Sequence, residues 1–343
     1  MRKFLFAVIL FLGVSFLITH LAQVEAIVET LQRGDWRFLA LALVVQVFWL
    51  VNVAASYRAI YRALGIEEQL GRLLVIATAA AFVNVVTPSG VVGGVTLFAA
   101  QAKRRGYSPI RVTLVGVLYL VFEYAAILCV VAVGLVVLIR RNNLTAAEVF
   151  AAGILTILAA ILSTLLVLGM RSENALNKTL TGGARLINRL ARVILRRDYV
   201  SEQRAHEFAH DAGSGLQELR VDFRQDPSNL AWPFALALSN RALLLTVFFL
   251  MFLAFQTPFS TGTLIAGFAI GYLFTIVSPT PAGIGVVEGV LTVTLRSLNV
   301  PLGSAAVITL AYRGFTFWLP LLFGMIALRA VERFSAQPVQ LDS

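Results

Sequence analysis

Apolar residues run in long blocks along this chain, and polar residues are confined to short gaps and one longer stretch. The blocks cover residues 4–21, 38–56, 73–101, 111–139, 147–170, 232–255, 262–300 and 304–328. A helix crosses a hydrocarbon core about 30 Å thick with roughly 20 residues, so most blocks match one crossing each. Two do not. Block 73–101 is interrupted by Thr87-Pro88-Ser89-Gly90 and Gly93-Gly94, and block 262–300 by Ser278-Pro279-Thr280-Pro281-Ala282-Gly283 and Gly285. Each is too long for one straight span and too short for two comfortable ones. The pattern predicts two re-entrant helical hairpins, with a proline-kinked long helix as the alternative.

Charge separates these readings. With both hairpins re-entrant, the chain has six full spans and both termini lie on one side. Arg2, Lys3, Arg58, Arg62, Arg72, Lys103, Arg104, Arg105, Arg111, the basic residues between Arg171 and Arg224, Arg329 and Arg333 then share that side. Only Arg33, Arg37, Arg140, Arg141 and Arg296 lie opposite, with Arg241 and Arg313 inside the membrane. Lys and Arg collect in cytoplasmic loops, so both termini are expected in the cytoplasm of a bacterial or archaeal cell, with the chain in its inner membrane. If block 73–101 crossed once, Lys103-Arg104-Arg105 would face outward, against that bias.

Composition agrees. The 343 residues are 59% hydrophobic and 13% charged, too few polar groups for a soluble surface. The net charge of +10 is explained by loops held against anionic lipid, and no basic stretch interleaved with aromatics points to nucleic acid. The one cysteine, Cys129, forms no intrachain disulfide or metal cluster. Met1-Arg2-Lys3 and the apolar run behind it read as a retained first helix rather than a signal peptide.

Residues 171–230 are the sizeable polar insertion. Ala205, Phe208, Ala212, Leu216, Leu219 and Phe223 recur at helical spacing, which predicts amphipathic helices lying on the membrane domain. The insertion contains His206-Glu207-Phe208-Ala209-His210. That spacing can hold zinc in a peptidase, but the two histidines fall beside the apolar stripe, and Gly213 and Gly215 follow closely. A solvated helix face is the simpler reading, and no metal or cofactor is expected.

The two interrupted blocks resemble each other. Thr280-Pro281 follows Thr87-Pro88 by 193 residues, and the same offset relates Tyr119 to Tyr312 and Phe122 to Phe315. In the topology above, span, hairpin, span over 38–139 recurs upside down over 232–328. Inverted repeats with broken helices characterise transporters, with the site at the repeat interface. Non-helical backbone at membrane depth must be buried in protein or line a wet cavity. The fold expectation is therefore an all-α polytopic membrane protein of six transmembrane helices and two re-entrant hairpins in an inverted repeat.

Candidate chemistry lies in that interior. An ionised side chain at a span's centre costs about 2.5–3.5 kcal/mol by insertion scales, so it should be paired and face inward. By depth, Glu123 matches Arg241, and Glu288 matches Arg313. These charges either contact a headgroup, with arginine gripping phosphate, or fix helix packing. At the hairpin tips, exposed backbone N–H groups attract anions. Thr87, Ser89 and Thr280 add hydroxyls there, and Gly90, Gly93, Gly94, Gly283 and Gly285 allow tight turns. Tyr57-Arg58 reads as an interface anchor.

Asn84 to Gly94, Glu123, Ser278 to Gly289, Tyr312-Arg313, Trp318-Leu319-Pro320 and Gly324 make the chain similar to the lysylphosphatidylglycerol synthase/flippase transmembrane-region family. The resemblance implies an integral membrane protein with re-entrant helices and adds Asn84 and Tyr312 to the substrate-binding candidates. In two-domain members the membrane part is taken to flip an aminoacylated phospholipid made by a soluble C-terminal domain. This chain ends soon after the last apolar block, so synthase activity is not carried over. Short members are associated with hopanoid or polyprenyl-linked glycan pathways, which leaves the cargo open. The expected function is a non-enzymatic lipid flippase or transporter. Its expected partners are membrane lipids with anionic or zwitterionic headgroups, or lipid-linked intermediates. Self-association is left open. The alternatives are a lipid-modifying enzyme, a metallopeptidase using residues 206–210, and a non-transporting accessory protein of envelope synthesis.

Overall fold

The computed structural model describes residues 21–87, 91–141, 146–172, scattered positions between 174 and 188, 228–278 and 280–336. Every regular element among them is helical. The order is α1 (Leu21–Gln32), α2 (Trp36–Ala63), α3 (Leu70–Val86), α4 (Val91–Arg104), α5 (Pro109–Arg140) and α6 (Ala146–Arg171). After the insertion come α7 (Ser228–Ala254), α8 (Thr261–Val277), α9 (Val286–Ser297), α10 (Leu302–Arg313) and α11 (Leu319–Ala336). Among the described residues, five helical rods are long and apolar enough to cross a membrane: α2, α5, α6, α7 and the continuous α10–α11. The chain is a multi-pass membrane protein. The expected first span, 4–21, lies outside the described residues apart from Leu21, as do most of the 171–230 insertion, the 206–210 motif, Ser89 and Gly90.

Both interrupted blocks fold back on themselves. α3 has 17 residues, roughly 25 Å, and α4 packs along it. The chain comes back to the end where it started: Arg105 Nη1 donates to Glu68 Oε1 at 2.5 Å, and Tyr107 Oη donates to the Glu67 carbonyl at 3.0 Å. In the second block α9 packs along α8, and Thr263 Oγ1 at the start of α8 donates to the Leu298 carbonyl just beyond α9 at 3.4 Å. Leu291 and Leu295 fill the grooves at Gly271 and Gly267.

The long helix α5 relates the two hairpins. It begins beside the mouth of the first, because Tyr107 and Pro109 are neighbours in the chain. It ends beside the mouth of the second, where Arg141 donates to Ser260 Oγ at 2.6 Å and Thr263 Oγ1 at 3.2 Å. The hairpins therefore open at opposite ends of α5, about 48 Å apart for its 32 residues. The tip of the second hairpin touches α3 of the first.

Small residues bring the rods close. A Cβ on Gly134 of α5 would lie 2.4 Å from the Ala269 methyl of α8, and one on Gly324 of α11 would lie 2.6 Å from the Thr78 carbonyl of α3. Close backbone approach through small residues is how membrane helices gain contact where lipid supplies no hydrophobic drive. By contrast, Leu41, Val44 and Phe48 of α2 and Phe150, Ile157 and Ile161 of α6 are exposed, as lipid-facing side chains are.

Block 304–328 is one rod, but it is not uniform. Residues Gly314–Trp318 form a π turn in which Leu319 N–H reaches the Gly314 carbonyl. Pro320 has no N–H to offer the carbonyl four residues back and would clash with it. The wider turn accommodates that loss. α1 packs against this segment, with Ile27 Cγ2 2.8 Å from where a Gly314 Cβ would lie.

Candidate functional site

Two of the deepest charges meet between α5 and α7. Glu123 and Arg241 are almost wholly buried, and Arg241 Nη2 donates to Glu123 Oε2. The other carboxylate oxygen, Oε1, accepts from Asn240 Nδ2 at 3.1 Å. Asn240 reaches on to α2, where Asn52 Nδ2 lies 2.7 Å from Asn240 Oδ1, 2.7 Å from Ser239 Oγ and 3.0 Å from the Leu236 carbonyl. The result is a polar network joining α2, α5 and α7 in the middle of apolar rods.

Each carboxylate oxygen accepts a hydrogen bond, but the guanidinium is less well matched. Arg241 Nε and Nη1 are buried and make no hydrogen bond of good geometry, although the Tyr272 side chain lies close enough to interact with the guanidinium. The group lies 4.2 Å from the centroid of the Tyr272 ring on α8, a cation–π contact. Two unmet donors on a buried cation are costly. A site that keeps them is chemically suited to an anion with paired oxygens, because the guanidinium fork matches phosphate or carboxylate.

One turn before Glu123 on α5, Tyr119 stacks on Tyr57 with centroids 4.2 Å apart, and Tyr57 stacks on Phe98 of α4 at 4.7 Å. This aromatic stack walls a cavity of about 130 Å³ between α5 and the first hairpin, also lined by Asn84, Gly94 and Gly116. Asn84 Oδ1 accepts from Gly94 N–H at 2.7 Å, so the donor expected to be free at this tip is already used. Thr87 Oγ1 donates to the Val83 carbonyl at 2.7 Å, and Gly93 has no room for a side chain against Thr87 and Val83.

The second pair also forms. Arg313 Nε donates to Glu288 Oε1 at 2.8 Å and Nη2 to the Ala282 carbonyl at 3.0 Å. Its guanidinium lies 4.6 Å from the Phe317 ring centroid. Glu288 Oε2 is buried without a partner. Arg313 thus ties the last rod to the second tip. In that tip Ala282, Gly283 and Gly285 all take positive φ, and Thr280 Oγ1 donates to the Ile284 carbonyl at 2.9 Å. Tyr312 packs edge-on against Phe248 at 5.0 Å.

The structure therefore brings Glu123 and Arg241 together in one place, with Asn84 and Gly94 beside the neighbouring cavity, and Glu288, Arg313 and Gly283 in another. The hydroxyls Thr87 and Thr280 serve their own tips. Sequence reasoning missed Asn52, Asn240, Tyr57 as a stacking partner, and Tyr272. The amides were the available signal, since side-chain amides inside apolar blocks are rare and bridge helices.

No curated protein matches the chain in sequence. Residues 4–324 match the profile of the family described as Lysylphosphatidylglycerol synthase TM region. That match takes in nearly all of the 343 residues, and the chain belongs to the lysylphosphatidylglycerol synthase transmembrane-region family.

Proposed function

We propose that this protein moves a phosphate-bearing lipid between the two leaflets of the membrane, and that Arg241 takes the phosphate on the way. The observation that carries the reading is the buried Arg241 fork, neutralised by Glu123 yet holding two donors without partners. Buried polar groups are ordinarily hydrogen-bonded, so two open donors on one buried cation call for an explanation. Family membership supports a lipid-related role. The opposed hairpins support a site reached from either side, with the basic end at the cytoplasm and each hairpin re-entering the bilayer as half of an inverted repeat. The chain has no nucleotide-binding motif, so transfer is an equilibration or is ion-coupled. The protein acts as a transporter rather than an enzyme.

The test is reconstitution into liposomes carrying trace headgroup-labelled anionic or zwitterionic phospholipid, with the outer-leaflet label quenched by an impermeant reductant. Wild-type protein should raise exchange well above that of empty vesicles. Arg241→Gln should lower the rate about tenfold or more. Equal rates for wild-type and empty vesicles across all headgroups would sink the proposal.

A further inference from the structure

A second cavity, this one lined by arginines, lies at the basic end of the bundle, away from the Glu123–Arg241 network. It holds about 370 Å³ and is lined by Ala55, Arg58, Ala59 and Arg62 of α2, Leu70 of α3 and Trp232 of α7. The α2 residues are spaced by three and four, so they form one face, and the alanines supply the room. Both arginines project from that face one turn apart. Neither has a carboxylate partner among the described residues. Arg58 Nε is buried and makes no hydrogen bond. The basic residues nearby in the fold are compensated differently: Arg72 and Arg105 both reach Glu68.

The cavity's depth says what fills it. α2 ends at Ala63, so Arg58 and Arg62 occupy its last two turns, at the level where a span leaves the hydrocarbon. Trp232 is exposed at the rim, and tryptophan is enriched at the membrane–water interface. Two uncompensated guanidinium groups at headgroup level, with one donor already desolvated, are built for a phosphate group. We propose that this cavity is a phosphate-binding site, distinct from the Arg241 site, that takes the phosphate of an anionic lipid headgroup or free phosphate of the same charge. It stands whether or not the protein transports, because binding is read directly.

The experiment is native mass spectrometry of the full chain released from detergent, after incubation with phosphatidylglycerol, phosphatidylcholine or inorganic phosphate. Four proteins are compared. Arg58→Gln/Arg62→Gln removes both forks. Arg33→Gln/Arg37→Gln removes the same charge from exposed positions at the opposite end of α2. Ala59→Leu keeps both arginines and fills the cavity, so it decides alone if the first double variant does not fold. Wild-type and Arg33/Arg37 protein should retain a phosphate ligand. The Arg58/Arg62 and Ala59→Leu variants should retain about tenfold less or lower still. Retention of phosphatidylglycerol that millimolar phosphate fails to displace assigns the site to lipid, and retention of inorganic phosphate alone assigns it to the free ion. Wild-type retention in either cavity variant, or equal loss in the Arg33/Arg37 control, overturns the proposal.

Discussion

Separating Glu123 from Arg241 is the most informative perturbation this fold offers. Both side chains are more than nine-tenths buried, and the carboxylate accepts from Arg241 and Asn240 together. Glu123→Gln keeps an oxygen for Asn240 but leaves a buried guanidinium with no counter-charge. Arg241→Gln leaves the reverse, a buried carboxylate. Breaking a buried pair from one side costs about 3–5 kcal/mol. Removing both charges restores neutrality, so the double variant should cost far less than the two singles together, with a coupling of about 3 kcal/mol. Denaturant unfolding in mixed micelles, followed for all four proteins, reads the cycle. Additive losses would mean that the contact contributes nothing in the folded state. The same four proteins in the leaflet assay separate structure from transport. If the pair only holds helices together, the charge-free double variant transports like wild type. If Arg241 meets the lipid, the double variant is stable and inactive.

Two further outcomes follow from packing and topology. Gly134→Ala should destabilise the protein by about 1–3 kcal/mol through overpacking against Ala269; adding Ala269→Gly should recover most of it in the same unfolding assay, and no recovery would place the clash elsewhere. In a Cys129→Ser background, cysteines at Arg105 and Arg141 should react with impermeant maleimide from opposite faces of sealed vesicles, and labelling from one face would contradict the opposed hairpins.

Much of this was legible in the chain because it is written in one dimension. The Thr87-Pro88 and Ser278 breaks end α3 and α8 where proline lacks the N–H a helix needs and glycine favours other backbone angles, and depth alone matched Glu123 with Arg241 and Glu288 with Arg313. Depth gives height along a rod but not direction around it. Asn52 and Asn240 lie 188 residues apart, and only the packing of α2 on α7 shows that they share a face. The same blindness hid the tips, where Thr87 and Asn84 look like free ligands until local backbone claims them. The helix α1, with Glu25 and Glu29 in it, fell outside the apolar blocks because its pattern is amphipathic. The π turn at Gly314–Trp318 depends on how Pro320 is relieved, which a hydropathy profile does not record.

The helix α5 has a mechanical meaning beyond the groups it carries. It is a single unbroken strut whose length exceeds the hydrocarbon thickness, and each end is fastened to the mouth of a different hairpin. Rocking such a strut about its middle swings its two ends in opposite senses. A displacement at the mouth of one hairpin is therefore passed to the mouth of the other in the opposite sense, as on a see-saw, with no relay of side chains needed between them.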